Sequence, residues 1–315
     1  MRLCTVQTEA TGVFFGVEIR TKILRVAAAA EAFALSKKER DGLADMMAYL
    51  ADWPRSEKAL RKLLQLIAEK PKTLAGASEA DGLPFLIPAK DVTYLPPVRR
   101  PGKVLCIGLN YRDHCEEQNK PVPEFPIVFN KFATSLIGHE ATIPLPLGLD
   151  DQIDYEAELA VVIGKEARAV SKRSALKHVA GYMCMNDVSA RSLQAREKQW
   201  SRAKGFDGSG PCGPALVTPD EVGDPHALAI TMKLNGKTMQ SSNTGNLVFK
   251  VQELIAHISA VMTLEPGDII STGTPGGVGL YRSPQRFLKI GDEVVVEIEK
   301  VGKLRNVCGD AAGRS

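Results

Sequence analysis

The spacing of apolar residues changes within the first third of the chain. Residues 2–28 alternate between apolar and polar positions and are rich in β-branched residues, which predicts short strands. From about residue 37 to residue 70 apolar residues recur at intervals of three and four, which predicts two amphipathic helices that meet near Trp53 and Pro54. We therefore predict a small N-terminal α/β module.

A proline-rich segment follows this module. Residues 88–101 contain four prolines, which restrict the backbone and favour extended conformations. We interpret this segment as a linker. We predict that residues 1–97 form the N-terminal module with its linker and that residues 98–315 form a larger catalytic domain.

Short apolar segments dominate the second region and predict a β-rich α+β domain, because strands and helices do not alternate regularly as they do in a parallel doubly wound fold. Strands are predicted over residues 103–107, 127–129, 157–163, 181–185, 229–234, 268–271 and 293–299, and helices over residues 174–178, 189–201 and 250–262.

Composition and charge exclude several classes of protein. The chain has 315 residues, 44% hydrophobic and 24% charged, as folded globular proteins do. Its 40 basic and 37 acidic residues are not concentrated in runs, so no nucleic-acid partner is implied. We expect no membrane partner, because the N-terminus lacks a secretory pattern and no apolar run approaches the roughly 18 residues of a membrane span.

The cysteines point to a reducing compartment. They are scattered and form neither a C-x-x-C motif nor a cluster with histidine, so neither a disulfide scaffold nor a zinc finger is predicted. We expect reduced, mostly buried thiols in a cytoplasmic protein. The six residues are Cys4, Cys106, Cys115, Cys184, Cys212 and Cys308.

Two glutamates at the start of a predicted strand are the first chemical signal. Glu156 and Glu158 stand two residues apart before an apolar run, so they project from one face with Cβ atoms roughly 6 to 7 Å apart. Burying both is costly unless a cation compensates them. The alternative is that they lie on a solvent-exposed edge with Lys165 and Arg168 as loose partners.

A third acid, Asp187, follows the predicted strand 181–185. Taken alone, an aspartate at such a position is more often a helix N-cap than a metal ligand, because aspartate strongly favours N-caps. If it converges with Glu156 and Glu158, the ligands are all oxygen atoms, which suits Mg²⁺ or Mn²⁺ rather than zinc.

The order and spacing of several motifs resemble the fumarylacetoacetate hydrolase family, most closely its two-domain members with a small N-terminal module. The motifs are 108–114 (GLNYRDH), Lys131 with Ser135 and Gly138, 154–158 (DYEAE), 186–191 (NDVSAR), Lys204 with Asp207 and Pro211, Asn235 with Gly236, 240–244 (QSSNT) and 272–279 (TGTPGGVG).

This resemblance implies a fold, an assembly and roles for individual residues. The fold would be a mixed β-sandwich roll and the assembly a homodimer. The metal ligands would be Glu156, Glu158 and Asp187. The resemblance further assigns catalytic roles to His114, to Glu117 as its orienting partner and to Lys204, and substrate-binding roles to Tyr111, Gln194 and Thr274. The alternative for Lys204 is a solvated surface lysine.

Three other features of the sequence bear on the predicted site. Gly208 stands where the family often has threonine, which questions the shape of the substrate pocket. The glycine-rich loop 272–279 lacks the G-K-[ST] of a P-loop, so nucleotide binding is not predicted. The remaining histidines, which have no ligand spacing and are expected to be structural or exposed, are His139, His178, His226 and His257.

We therefore expect an enzyme that requires a divalent metal and acts on a small 2-oxo acid or diketo acid. Its reaction would be hydrolysis of a C–C bond in an acylpyruvate, or decarboxylation of oxaloacetate. Keto–enol tautomerisation of oxaloacetate is an alternative, and so is a non-catalytic relative that binds a 2-oxo acid. A metal-dependent oxygenase would require histidine ligands, which this sequence does not space suitably.

Overall fold

Strands outnumber helices in the described part of the chain, residues 1–146 and 148–310 of the computed structural model. The strands are β1 Arg2–Thr8, β2 Gly12–Ile19, β3 Lys22–Arg25, β4 Leu86–Pro88, β5 Thr93–Leu95, β6 Val104–Gly108, β7 Ile127–Lys131, β8 Leu136–Ile137, β9 Thr142–Leu145, β10 Ile153–Asp154, β11 Ala157–Ile163, β12 Val179–Asn186, β13 Ser189–Ala190, β14 Gly210–Val217, β15 Ala229–Leu234, β16 Lys237–Asn243, β17 Ile269–Ser271, β18 Glu293–Ile298 and β19 Gly302–Asp310. The helices are α1 Val26–Ala32, α2 Lys37–Asp41, α3 Met46–Ala51, α4 Arg55–Glu69, α5 Arg112–Glu117, α6 Lys172–Ala175, α7 Arg191–Glu197, α8 Trp200–Lys204, α9 Pro219–Val222 and α10 Val251–Ser259.

The largest sheet contains strands from both ends of the chain. Its 12 strands include the path β4-β3-β2-β1-β14-β12-β11-β17-β6-β7. Strand β1 pairs antiparallel with β14, and β5, which lies within the predicted linker, pairs with β1. The strands of residues 1–97 thus extend the sheet of the second region. The division into two domains at residue 97 stays a prediction.

The centre of this sheet is buried on both faces. A 5-stranded sheet, β16-β15-β18-β19-β9, covers one face, where Leu159 and Val161 of β11 join its core. On the other face Ala160 and Val162 pack in a second core that includes Leu60 of α4. The sequence prediction of a β-rich α+β fold is confirmed, and every residue of β11 is buried.

Two predicted helices are divided in the structure. The first helix of the N-terminal module is two short helices, α2 and α3, because the Asp45 carboxylate accepts a hydrogen bond from the Ala48 N–H at 2.8 Å and starts a new helix. The helix predicted over residues 189–201 is shorter, because residues 189 and 190 are in β13 and Lys198 adopts a left-handed conformation with φ of 57° that separates α7 from α8. None of the helices in residues 1–146 and 148–310 is long and apolar enough to cross a bilayer.

Candidate metal centre and active site

Pairing of β11 with β12 brings the three predicted ligands together. Ala157 stands opposite Asn186, so Glu156 and Asp187 are neighbours, and the Asp187 N–H donates to the Glu156 carbonyl at 2.9 Å. Glu156, Glu158 and Asp187 each offer a carboxylate oxygen within 4.8 Å of the others. Their exposed fractions are 5%, 1% and 0%, so the alternative of glutamates on a solvent-exposed edge is wrong.

Three buried cations surround this acidic triad. Lys204 donates from Nζ to Oε2 of Glu156 at 2.8 Å and to Oδ2 of Asp187 at 2.7 Å. Lys131 donates to Oδ1 of Asp187 at 2.9 Å, and Arg191 donates to Oε1 of Glu156 at 2.6 Å. Lys204 is therefore not a surface lysine, and the Asp187 side chain binds lysines instead of capping a helix.

Glu158 is the member of the triad that contacts none of these cations. Its Oε2 accepts hydrogen bonds from the Ser271 hydroxyl and, at 3.0 Å, from the Gly273 N–H. Burial raises the pKa of Glu158 well above its usual value, and the negative charges of Asp187 and Glu156 raise it further. The hydrogen bond from Ser271 and the charge of Lys204 act in the opposite direction but do not outweigh these effects.

Glu156 shows the opposite behaviour. Burial alone would raise its pKa, but Lys204 and then Arg191 outweigh burial, and the pKa falls well below its usual value. The site therefore stabilises the ionised form of Glu156, whereas the ionised form of Glu158 would be stabilised by an additional positive charge. The donor set fits a hard divalent cation, because it consists of oxygen atoms that retain lone pairs beyond those used by their present partners.

His114 lies on α5 and is oriented by its own helix. Its Nδ1 is 2.6 Å from Oε1 of Glu117, whose Oε2 accepts a hydrogen bond from the Gly277 N–H at 2.7 Å. An ionised carboxylate can only accept, so Nδ1 carries the proton and Nε2 of the neutral ring carries the lone pair. That Nε2 accepts a hydrogen bond from Nε2 of Gln118 at 2.7 Å.

A cavity of about 310 Å³ joins the imidazole to the acidic triad. Glu156, Glu158 and His114 are on its wall, together with Lys204. Its remaining lining residues are Ile107, Gly108, Leu109, Gln118, Lys120, Phe129, Arg191, Gln194, Ala195, Trp200, Thr274, Leu280 and Tyr281.

The three predicted substrate-binding residues differ in position. Gln194 and Thr274 line the cavity. The Thr274 hydroxyl donates to the Ala157 carbonyl at 3.0 Å and accepts from Nε2 of Gln240 at 2.8 Å. Tyr111 is fully buried and is not among the lining residues, and its hydroxyl has no hydrogen-bond partner within residues 1–146 and 148–310. The structure thus brings two of the three to the cavity.

Several contacts around the site had no predicted role. Lys131, Arg191 and Gln240 belong to the motifs quoted above, but their ion pairs and hydrogen bonds depend on tertiary packing. Asp154 was likewise part of a motif. It accepts hydrogen bonds from Nε of Arg191 at 2.9 Å and from the backbone N–H of Gly279 at 2.7 Å, and so fixes the glycine-rich loop beside the triad.

The glycine at position 208 has a local explanation. Its φ is +74°, and a Cβ atom there would lie 2.4 Å from Cδ of Pro144. A threonine would therefore be strained in this backbone. Gly208 is not among the residues that line the cavity.

Comparison with known proteins agrees with the architecture. The profile of the fumarylacetoacetate (FAA) hydrolase C-terminal family matches residues 103–308. The bovine protein named oxaloacetate tautomerase FAHD2A, mitochondrial, is 53% identical over 229 residues, 72% of each chain. The crystal structure of a putative HpcE protein from Mycobacterium smegmatis has a TM-score of 0.79 and 35% identity, covering 99% of this chain and 100% of that one.

A third relative was crystallised with ligands. Maleylpyruvate hydrolase from Sphingobium sp. SYK-6, in complex with manganese (II) ion and pyruvate, has a TM-score of 0.74 and 29% identity and covers 98% of this chain and 100% of its own. The matched profile spans most of the sequence, including the triad, His114 and Lys204. The chain therefore belongs to the fumarylacetoacetate hydrolase family of enzymes.

Proposed function

We propose that this protein is a divalent-metal-dependent enzyme acting on a small 2-oxo acid, and that its reaction is the keto–enol tautomerisation of oxaloacetate. The observation that carries the proposal is that two carboxylates of the buried triad and the imidazole of His114 face one cavity. The name of the bovine relative supports oxaloacetate as the substrate and tautomerisation as the reaction.

Glu156, Glu158 and Asp187 would hold the cation, which we propose to be Mg²⁺ or Mn²⁺. The manganese ion in the Sphingobium relative supports such a site. When bound, the cation would hold the carboxylate and 2-oxo oxygens of the substrate and lower the energy of negative charge on the 2-oxo oxygen. The ion pairs of Glu156 and Asp187 would hold these ligands in place before the cation arrives.

The chain's own residues would move the proton. In the keto-to-enol direction His114 accepts a proton from C3 at Nε2, while Glu117 retains the Nδ1 proton and stabilises the imidazolium. His114 then releases this proton to the 2-oxo oxygen, directly or through solvent, and returns to the neutral ring, so that one proton moves from C3 to oxygen and no water is consumed. Lys204 would place a positive charge beside that oxygen, and Thr274 and Gln194 would contact the substrate carboxylate and neighbouring polar atoms.

Hydrolysis of an acylpyruvate is the second candidate, and the Sphingobium relative, a maleylpyruvate hydrolase, favours it. In that reaction His114 would activate a water molecule for attack on the distal carbonyl. Decarboxylation of oxaloacetate would use the same stabilised charge without a water molecule.

One set of assays separates these reactions. The metal-free protein, with and without added Mg²⁺ or Mn²⁺, is mixed with enol-oxaloacetate, and loss of enol absorbance is followed beside formation of pyruvate. Acylpyruvate cleavage is followed in parallel. We expect metal-stimulated loss of the enol without pyruvate, and we expect Asp187→Asn and His114→Asn to abolish it. Pyruvate release or acylpyruvate cleavage at the higher rate would replace the tautomerase proposal, whereas binding without any turnover would indicate a non-catalytic relative.

Two further parts of the proposal concern assembly and location. A homodimer, implied by the resemblance, would give a mass near twice 34.1 kDa by light scattering.

A cytoplasmic location stays a prediction, since the bovine relative is named mitochondrial. The six free, buried cysteines are compatible with any reducing compartment, and fractionation of cells with an antibody against the protein would distinguish the two.

A further inference from the structure

Gln118, the residue after α5, connects the predicted base to Tyr281, another residue of the cavity wall. Its Nε2 lies 2.7 Å from Nε2 of His114, and its Oε1 accepts a hydrogen bond from the Tyr281 hydroxyl at 3.1 Å. The Tyr281 ring also meets the imidazole edge-on, with 6.3 Å between ring centroids. All three side chains line the cavity.

The NH₂ group of Gln118 donates to the lone pair of His114 Nε2, which is the lone pair that His114 would use as a base. An amide NH₂ group only donates, so in this orientation it favours the neutral ring, in which Nε2 is unprotonated. If Nε2 gains a proton, the ring needs an acceptor there. Rotation of the Gln118 amide by about 180° would present Oε1 to that proton and turn the NH₂ group toward Tyr281, whose hydroxyl can accept as well as donate.

We propose that Gln118 and Tyr281 are positioning residues that give the His114 ring a matching hydrogen-bond partner in both of its protonation states. Glu117 accepts from Nδ1 in either state, so the change in partner is confined to Nε2. The reversal of the Gln118 amide lets His114 take up and release a proton without leaving a polar atom of the wall unpaired. The use of this proton in turnover rests on the function proposed above.

The other charged and titratable groups that face the ring remain the same when Gln118 is changed. Glu117 is on the ring's own segment, Glu156 acts on the ring through space from the strand side, and Tyr281 approaches from the loop side. Gln118→Met therefore isolates the contribution of the amide, whereas Gln118→Glu adds a negative charge as well.

The test is the titration of the His114 ring, measured by NMR in the protein without substrate. The chain has five histidines, and the resonance that disappears in His114→Asn identifies the ring. Gln118→Met keeps the length of the side chain but removes its hydrogen bonds, and Gln118→Glu offers acceptors only. Tyr281→Phe removes the partner of the amide. Gln285→Glu is the matched control, because it adds the same charge to the exposed end of the same loop, where Gln285 contacts the Leu280 carbonyl.

We expect the titration midpoint of His114 to rise in the order unaltered protein, Gln118→Met, Gln118→Glu, with the last higher than the first by about one pH unit or more. Tyr281→Phe should move the midpoint toward that of Gln118→Met, and Gln285→Glu should leave it unchanged. The acidic limb of kcat/KM should follow the same order. Equal midpoints in all variants would overturn the inference. If the midpoints follow this order but the protein shows no turnover, the inference is upheld and the proposed function is rejected.

Discussion

The backbone N–H of Asp187 donates to the carbonyl oxygen of Glu156 at 2.9 Å, where the end of β12 meets the beginning of β11. This single contact fixes the backbone of two predicted metal ligands that are far apart in the sequence. The positions of their Cα atoms therefore depend on the sheet and not on their side chains. Substitutions of the acidic side chains should accordingly test the chemistry of the site more than its fold.

Glu158→Gln should make the metal-free protein more stable and abolish binding of the metal. Near neutral pH the folded protein holds on Glu158 a proton that the unfolded chain has lost, and a neutral amide removes the cost of holding it. The amide oxygen can still accept from the Gly273 N–H. We expect a gain of about 1–3 kcal/mol in the free energy of unfolding without metal. Thermal unfolding with a chelator and with Mn²⁺ measures both effects.

The control is Glu79→Gln, which removes the same charge from an exposed position. It should keep the stabilisation by Mn²⁺. If Glu158→Gln lowers the stability of the metal-free protein, or keeps the response to Mn²⁺, the assignment of Glu158 is incorrect.

Lys204→Met should have the opposite effect on stability. Lys204 is 3% exposed and contacts both Glu156 and Asp187, so its removal leaves two buried carboxylates short of positive charge. Breaking a buried ion pair costs roughly 3–5 kcal/mol. Chemical unfolding of the metal-free protein is the measurement. Lys165→Met, at an exposed lysine, is the comparison and should be nearly neutral. A loss below about 1 kcal/mol in Lys204→Met would contradict the buried network.

Binding of the metal should weaken as the pH falls. The pKa of Glu158 is raised in the folded, metal-free protein, so near neutral pH and below the cation must displace a proton from it. The raised pKa also affects the stability of the metal-free protein. Between the pKa of Glu158 in the unfolded chain and its higher pKa in the folded protein, stability falls as the pH rises, because the folded state holds a proton that the unfolded state has lost. Stabilisation by Mn²⁺ should therefore be larger at about pH 8 than at about pH 6. Calorimetry in two buffers should detect proton release, and its absence at the lower pH would contradict the prediction.

The thiols should be protected in the native protein. All six cysteines are free and buried, and burial raises the pKa of Cys184 and Cys212 to about 12. A thiol reagent should react slowly with the native protein and should modify six groups after unfolding. Rapid modification of one thiol in the native protein would show that a segment covering it opens readily.

Sequence reasoning predicted the acidic triad but not the contacts that hold it. Glu156 and Glu158 are close in sequence, and their alternation before an apolar run makes their shared orientation predictable. The approach of Asp187 depends on the antiparallel pairing of β11 with β12, which the sequence alone does not determine. It became predictable only through the family resemblance. The ion pairs of Lys131 and Arg191 depend on elements that are distant in sequence.

The secondary structure was predicted best where the apolar pattern is strong. Strand β11 is apolar on both faces and was predicted in full. Strand β14 was missed because it contains two glycines and two prolines, and β16 because it is mostly polar. Both strands form through pairing with neighbouring strands rather than through the intrinsic β-propensity of their own residues. The N-terminal strands were predicted, but their addition to the main sheet through β1 was not.

The most direct test is a crystal structure of the protein soaked with Mn²⁺, with anomalous diffraction used to locate the ion. We expect one strong anomalous peak, about 2.0–2.4 Å from an oxygen atom of each of Glu156, Glu158 and Asp187, on the side of the cavity that faces His114. An ion bound elsewhere, or no peak between the three carboxylates at a saturating concentration of Mn²⁺, would contradict it.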